Sequence, residues 1–226
     1  MSNHLTVELV DGNAARASAA DDPLGYSRGG FLRRALVAGG VLSVSGVVIG
    51  GLPALAEASE GKGAQLKALS ATEVLNFALT LEYLEAEFYT QAEAGGALRG
   101  EALRFARTVG AHERAHVDFL KGALGANAVA KPTFDFKGTT SNQAKFLATA
   151  IVLEDTGVAA YNGQAANLKG DKTVLAAAAS VVSVEARHAA WVRDIVRKNP
   201  APVAFDPARS REKILEAVAA TGFIAG

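Results

Sequence analysis

The sequence contains no cysteine. That excludes disulfides, Cys-ligated zinc, iron–sulfur clusters and thiol catalysis. It also has no excess of either charge, with 23 Lys and Arg against 23 Asp and Glu. No basic run goes beyond Arg33-Arg34. A protein built to coat nucleic acid needs a cationic excess or a dense basic patch, so nucleic acid is not an expected partner. Aromatic residues are few, at 7%, and alanine is abundant, which favours helices over a sandwich or barrel. Only four histidines occur: His4, His112, His116 and His188. What is plentiful is apolar surface. Half the residues are hydrophobic and 20% are charged, enough for a packed core and incompatible with global disorder.

The N-terminal part reads as an address. A polar stretch over 1–26 leads to Ser27-Arg28-Gly29-Gly30-Phe31-Leu32-Arg33-Arg34, then to an uncharged, glycine-rich run from Ala35 to Leu52. Pro53 ends the run, and Ala54-Leu55-Ala56 has the small-x-small form of a cleavage site. Basic flank, apolar run and cleavage site in that order predict an export signal, similar to the twin-arginine type, with Arg33-Arg34 placed after Phe31-Leu32. Cleavage would leave a mature domain over 57–226, in the periplasm or another extracytoplasmic space. Without cleavage the 18 apolar residues could span a bilayer and act as an anchor, the one membrane association expected.

The rest reads as an all-α chain. Ser70-Ala71-Thr72-Glu73 is a capping box opening a helix to about Glu93, closed by Gly95-Gly96. A second helix is expected from about Leu98 to Leu124. After a long crossover marked by Pro132 and Gly138, a third runs from Ser141, as its cap, to about Leu168. Asp171 caps a fourth that ends before Pro200. Ser210 to Thr221 forms a short last helix. Four long helices joined short–long–short describe a four-helix bundle with one crossover connection.

The two halves of this bundle repeat each other at an offset of 72 residues. Leu81 matches Leu153, Glu82 matches Glu154, Tyr89 matches Tyr161, Glu113 matches Glu185 and His116 matches His188. Matched leucines and alanines are cheap in such a chain, whereas matched Glu, Tyr and His are not. Glu113 and His116 are three apart and share a helix face, as do Glu185 and His188. Glu82 and Glu154 sit among inward leucines and alanines. Four unpaired carboxylates in a core would each cost several kcal/mol or more, about the scale of a whole domain's stability. Two divalent cations neutralise them, and two imidazoles complete the donor set. One Glu from each of two helices plus Glu-x-x-His from each of the other two is the pattern of di-iron and di-manganese carboxylate bundles.

These residues carry a resemblance. Leu81-Glu82-Tyr83-Leu84-Glu85-Ala86-Glu87-Phe88-Tyr89, Phe134-Asp135-Phe136, Leu153 to Tyr161 and the two Glu-x-x-His motifs are similar to the ferritin-like superfamily, which includes bacterioferritin, rubrerythrin and manganese catalase. More narrowly, they resemble exported ferritin-like proteins related to plant desiccation proteins. The resemblance implies Glu113 and Glu185 as bridging ligands, Glu82 and Glu154 as terminal ones, and one histidine per metal. It implies iron or manganese as cofactor, dioxygen or peroxide as partner, and a link to stress or desiccation tolerance. A homo-oligomer is compatible with it.

Several neighbours admit two readings. Tyr89 and Tyr161 lie two turns beyond Glu82 and Glu154, where they could bond ligand carboxylates or donate an electron, or could be core tyrosines with satisfied hydroxyls. Glu85 and Glu87 face Gly157 and Ala159 in the repeat and are expected to be solvated, although Glu85, three after Glu82, could be a spare ligand. Phe119 and Trp191 are expected in the core rather than in an electron relay. His112-Glu113-Arg114-Ala115-His116 also spells the H-E-x-x-H zinc-protease signature. The repeat accounts for Glu113 and His116 without His112, whose counterpart is Val184. No nucleotide or flavin motif supplies an electron partner. The sequence therefore points to a di-metal protein with oxidase- or catalase-like activity, or to a non-catalytic metal-binding or protective bundle.

Overall fold

A computed structural model describes residues 69–225. The leader, its arginines, the apolar run and the cleavage site lie outside the described residues. Four long helices and a short one follow in order: α1 Ala71–Ala94, α2 Gly100–Leu124, α3 Gln143–Gln164, α4 Lys172–Ile195 and α5 Arg211–Thr221. The all-α expectation holds.

Helix ends follow local chemistry. Ser70 accepts from Glu73 N, and Glu73 Oε2 reaches back to Ser70 N at 2.8 Å, the reciprocal box expected at α1. Asp171 Oδ1 accepts from Thr173 N and Val174 N at α4. The cap of α3 is Asn142, not Ser141. Asn142 Oδ1 accepts from Lys145 N at 3.0 Å, while Ser141 donates its hydroxyl to Gly138 O inside a single 3₁₀ turn. Both side chains can cap, and the turn's own bond removes serine from the competition. The start of α2 also moves inward from Leu98, which is buried, to Gly100.

Consecutive helices joined by short loops pack together, α1 on α2 and α3 on α4, and the pairs meet through α1–α3 and α2–α4 contacts. One continuous core fills the space between them. Its aromatic part is concentrated on one side: Phe88 stacks on Phe146 with centroids 5.1 Å apart, and Tyr89, Phe105 and Phe136 meet this pair edge-on.

The crossover between α2 and α3 is fastened at two points. Asn76 on α1 donates to Asn127 O and accepts from Val129 N. Further on, Thr133–Phe134 (β1) pairs antiparallel with Ile224–Ala225 (β2), with Phe134 opposite Ile224. The Phe134-Asp135-Phe136 motif thus has a structural use: both phenylalanines are buried, and Asp135 N donates to Phe223 O. Two residues per strand are too few to show an alternating pattern in sequence. A second strap, the proline-bearing segment between α4 and α5, returns across α3, where Arg209 N donates to Ala159 O.

Candidate metal centre

Helical periodicity aims one polar face of each long helix at the bundle axis. α1 contributes Glu82, Glu85 and Tyr89, α3 contributes Glu154 and Tyr161, and the three-residue spacing presents Glu113 with His116 on α2 and Glu185 with His188 on α4. The six residues expected as ligands come together. Glu82, Glu113, Glu154 and Glu185 are at most 1% exposed, and His188 is 3% exposed. They form two overlapping groups whose donor atoms lie within 4.8 Å of one another. One comprises Glu82, Glu113, His116 and Glu185, and the other Glu113, Glu154, Glu185 and His188.

The histidines define the groups. His116 Nδ1 is 3.2 Å from Glu82 Oε2, 3.0 Å from Glu113 Oε2 and 3.1 Å from Glu185 Oε1. His188 Nδ1 is 3.0 Å from Glu113 Oε1, 3.1 Å from Glu154 Oε2 and 3.9 Å from Glu185 Oε2. Glu113 and Glu185 therefore turn one oxygen to each histidine, while Glu82 and Glu154 each serve a single group.

Each remaining oxygen of the latter pair is held by a phenol. Tyr161 donates to Glu82 Oε1 at 2.5 Å, and Tyr89 donates to Glu154 Oε1. The carboxylate-bonding reading of the tyrosines is the one the geometry supports. Burial, then the neighbouring carboxylates, push both phenols well above their ordinary pKa, so they remain donors.

Hydrogen bonding alone cannot satisfy this cluster. One ring nitrogen carries one proton in one direction, yet three carboxylates crowd Nδ1 of His116. Glu113 Oε1 and both oxygens of Glu185 are buried and make no well-aligned hydrogen bond, although an imidazole nitrogen lies near each. The ionisation pattern reflects the same crowding. Burial disfavours charge on His116 and His188, but the surrounding carboxylates outweigh it and hold both up to about 12. Burial lifts Glu154 to about 7 against the pull of His188, and burial with Glu185 beside it raises Glu113 well above the usual range. Burial also works to raise Glu185, but the two imidazoles bring it down to about 2. Orphaned oxygens and two inward imidazole nitrogens are a donor set suited to divalent cations.

Two expectations need correction. Glu85 is not solvated: it is 3% exposed, directly beside the cluster. Burial comes first, then Glu185, Glu154, Glu113 and Glu82, in raising its pKa. The signal available was its three-residue spacing from Glu82. Glu87, in contrast, lies at the surface in an ion pair with Lys131. Phe119 is not in the core but 49% exposed, on the rim of an apolar cleft with Leu81, Leu120 and Tyr161. Trp191 does pack against the core, edge-on to Phe105, and its Nε1 donates to Glu101. His112 joins neither donor group. Its Nδ1 instead lies 2.9 Å from Nε2 of His188, the ring atom that faces away from the carboxylates.

Compared with known proteins, residues 70–198 match the family described as a ferritin-like domain. No curated protein matches the chain significantly.

Proposed function

The chain belongs to the ferritin-like family, and from that premise we propose that Glu82, Glu113, His116, Glu154, Glu185 and His188 hold two divalent cations, iron or manganese. The observation that carries this reading is the shared position of Glu113 and Glu185, each with one oxygen toward each histidine. Two such metals would supply two-electron chemistry with dioxygen or peroxide. The protein's part is positioning. Tyr89 and Tyr161 hold the outer oxygens of Glu154 and Glu82, leaving the inner ones for metal. The four carboxylates are at most 1% exposed, and Ala78, Leu81, Ala150 and Leu153 of the same helices are buried with them. We place the protein outside the cytoplasm by its leader, in tolerance of oxidative stress or desiccation, as an oxidase- or peroxide-removing protein.

Elemental analysis of the loaded chain should find two metals, and the loaded chain should accelerate peroxide loss or ferrous oxidation. One metal or fewer with the helices intact would overturn the paired site. A second reading, metal as a structural element only, is favoured by the near-complete burial of the carboxylates. Two bound metals with neither activity would decide for it. The protease reading has little support, because His112 and His116 do not converge in one donor group. Edman sequencing of the mature protein should start within a few residues of Glu57. Full-length soluble protein in the cytoplasm would overturn the export assignment.

A further inference from the structure

The internal repeat is broken at two places near the centre. Glu85 on α1 corresponds to Gly157 on α3, and His112 on α2 corresponds to Val184 on α4. Both departures fall on the same side.

Gly157 leaves a space. A Cβ placed there would lie 3.2 Å from Glu185 Oε2 and 3.5 Å from Glu85 Oε1. The carboxylate of Glu85 on α1 therefore borders the room that α3 vacates, which one particular oxygen of Glu185 also borders. That oxygen is on the His188 side, since Glu185 Oε1 is the one beside His116. A Cβ at 157 would press on Glu185 Oε2 and stand in ordinary contact with Glu85 Oε1. Two buried carboxyls around one opening retain a proton in the metal-free chain, and a cation can take that proton's place.

His112 acts on the same position from outside. Its Nδ1 is 2.9 Å from His188 Nε2, and the two rings meet edge to edge, nearly coplanar, with 20° between their planes and centroids 5.1 Å apart. A histidine that offers Nδ1 to a metal carries its proton on Nε2. His112 Nδ1 is placed to accept that proton's hydrogen bond, which fixes the tautomer and ring orientation of His188. Val184 can do nothing comparable for His116.

Resting on the two-metal reading, we propose that the two positions are inequivalent. Glu85 and His112 both serve the one formed by Glu113, Glu154, Glu185 and His188, Glu85 as an additional carboxylate and His112 as a positioning residue. This position then fills first and more tightly.

The test is titration of the metal-free full chain with Mn²⁺ alone, following free Mn²⁺ by electron paramagnetic resonance. Two classes of site are expected, separated by about tenfold or more in Kd, as losses of such supporting groups commonly cost 10–100-fold. His188→Ala should remove the tight class and His116→Ala the weak one. Glu85→Gln, which keeps the shape, and His112→Val, which restores the repeat, should each bring the tight class toward the weak one. His112→Asn should recover much of the loss, because its Oδ1 can accept where Nδ1 did. Circular dichroism on each variant checks that the helices persist. Two equal classes in the unsubstituted chain, or a tight class unmoved by Glu85→Gln and His112→Val, would overturn the inference while leaving the two-metal reading standing. Failure of the folded chain to bind Mn²⁺ at all would sink both.

Discussion

The hydroxyl of Tyr161 on α3 donates to Oε1 of Glu82 on α1, 79 residues away in sequence, at 2.5 Å. The same bond is made in reverse by Tyr89 on α1 to Glu154 on α3. Each helix thus supplies the phenol that steadies the other's carboxylate, so α1 and α3 are tied across the bundle at two levels. Both carboxylates keep their second oxygen turned toward a histidine.

Tyr161→Phe deletes one of these ties without changing shape. It leaves Glu82 Oε1 buried without its donor, at a cost of about 1–3 kcal/mol in the metal-free protein. Metal affinity should fall by about tenfold, because the carboxylate is free to rotate. Chemical denaturation and Mn²⁺ titration measure the two effects. Unchanged stability and affinity together would mean the phenol is mere filling.

Substituting the two histidines separates the bundle site from the protease signature. His188→Ala should lose one metal at ordinary loading, although it lies outside H-E-x-x-H. His112→Ala should still carry two metals at saturating concentration, since it joins neither donor group. The reverse pattern in elemental analysis would overturn the assignment.

Metal binding should strengthen as pH rises. In the metal-free chain the carboxylates, working against burial, keep His116 and His188 protonated up to about 12, and burial keeps Glu154 protonated up to about 7. A metal takes the lone pairs these protons occupy, so binding near neutrality releases roughly two protons or more. Release on binding means that affinity grows with pH, between about pH 6 and pH 8. Calorimetry in two buffers of different ionisation enthalpy counts the protons. Proton uptake, or affinity falling over that range, contradicts the scheme.

Gly163→Ala tests the strap between α4 and α5. An added Cβ would stand 1.8 Å from Arg209 O, and backbone cannot yield as a side-chain end does. The strap should lift and lose the Arg209–Ala159 bond, destabilising the chain by about 1–3 kcal/mol. Limited proteolysis between Pro200 and Arg209 should accelerate. Cutting at the original rate would show that the strap contributes no such packing.

The helical part of the fold was legible before any packing was known. The three- and four-residue spacing of leucines, the Ser70–Glu73 box and the 72-residue repeat specify which residues share a face and which faces correspond. Those are local properties of a helix, and Glu113 with His116, or Glu185 with His188, could be paired from spacing alone. Residues that meet across helices answer to packing instead. Glu85 shares a face with Glu82, yet its burial depends on room left by Gly157 on another helix, 72 residues away. Phe119 follows the same spacing as core residues but emerges at the rim of a cleft, because no neighbouring helix covers it fully. His112 meets His188 only because α2 and α4 lie side by side. Periodicity gives the direction of a side chain from its own axis. What stands opposite depends on the distance and rotation between axes, which the packing of all four helices sets together.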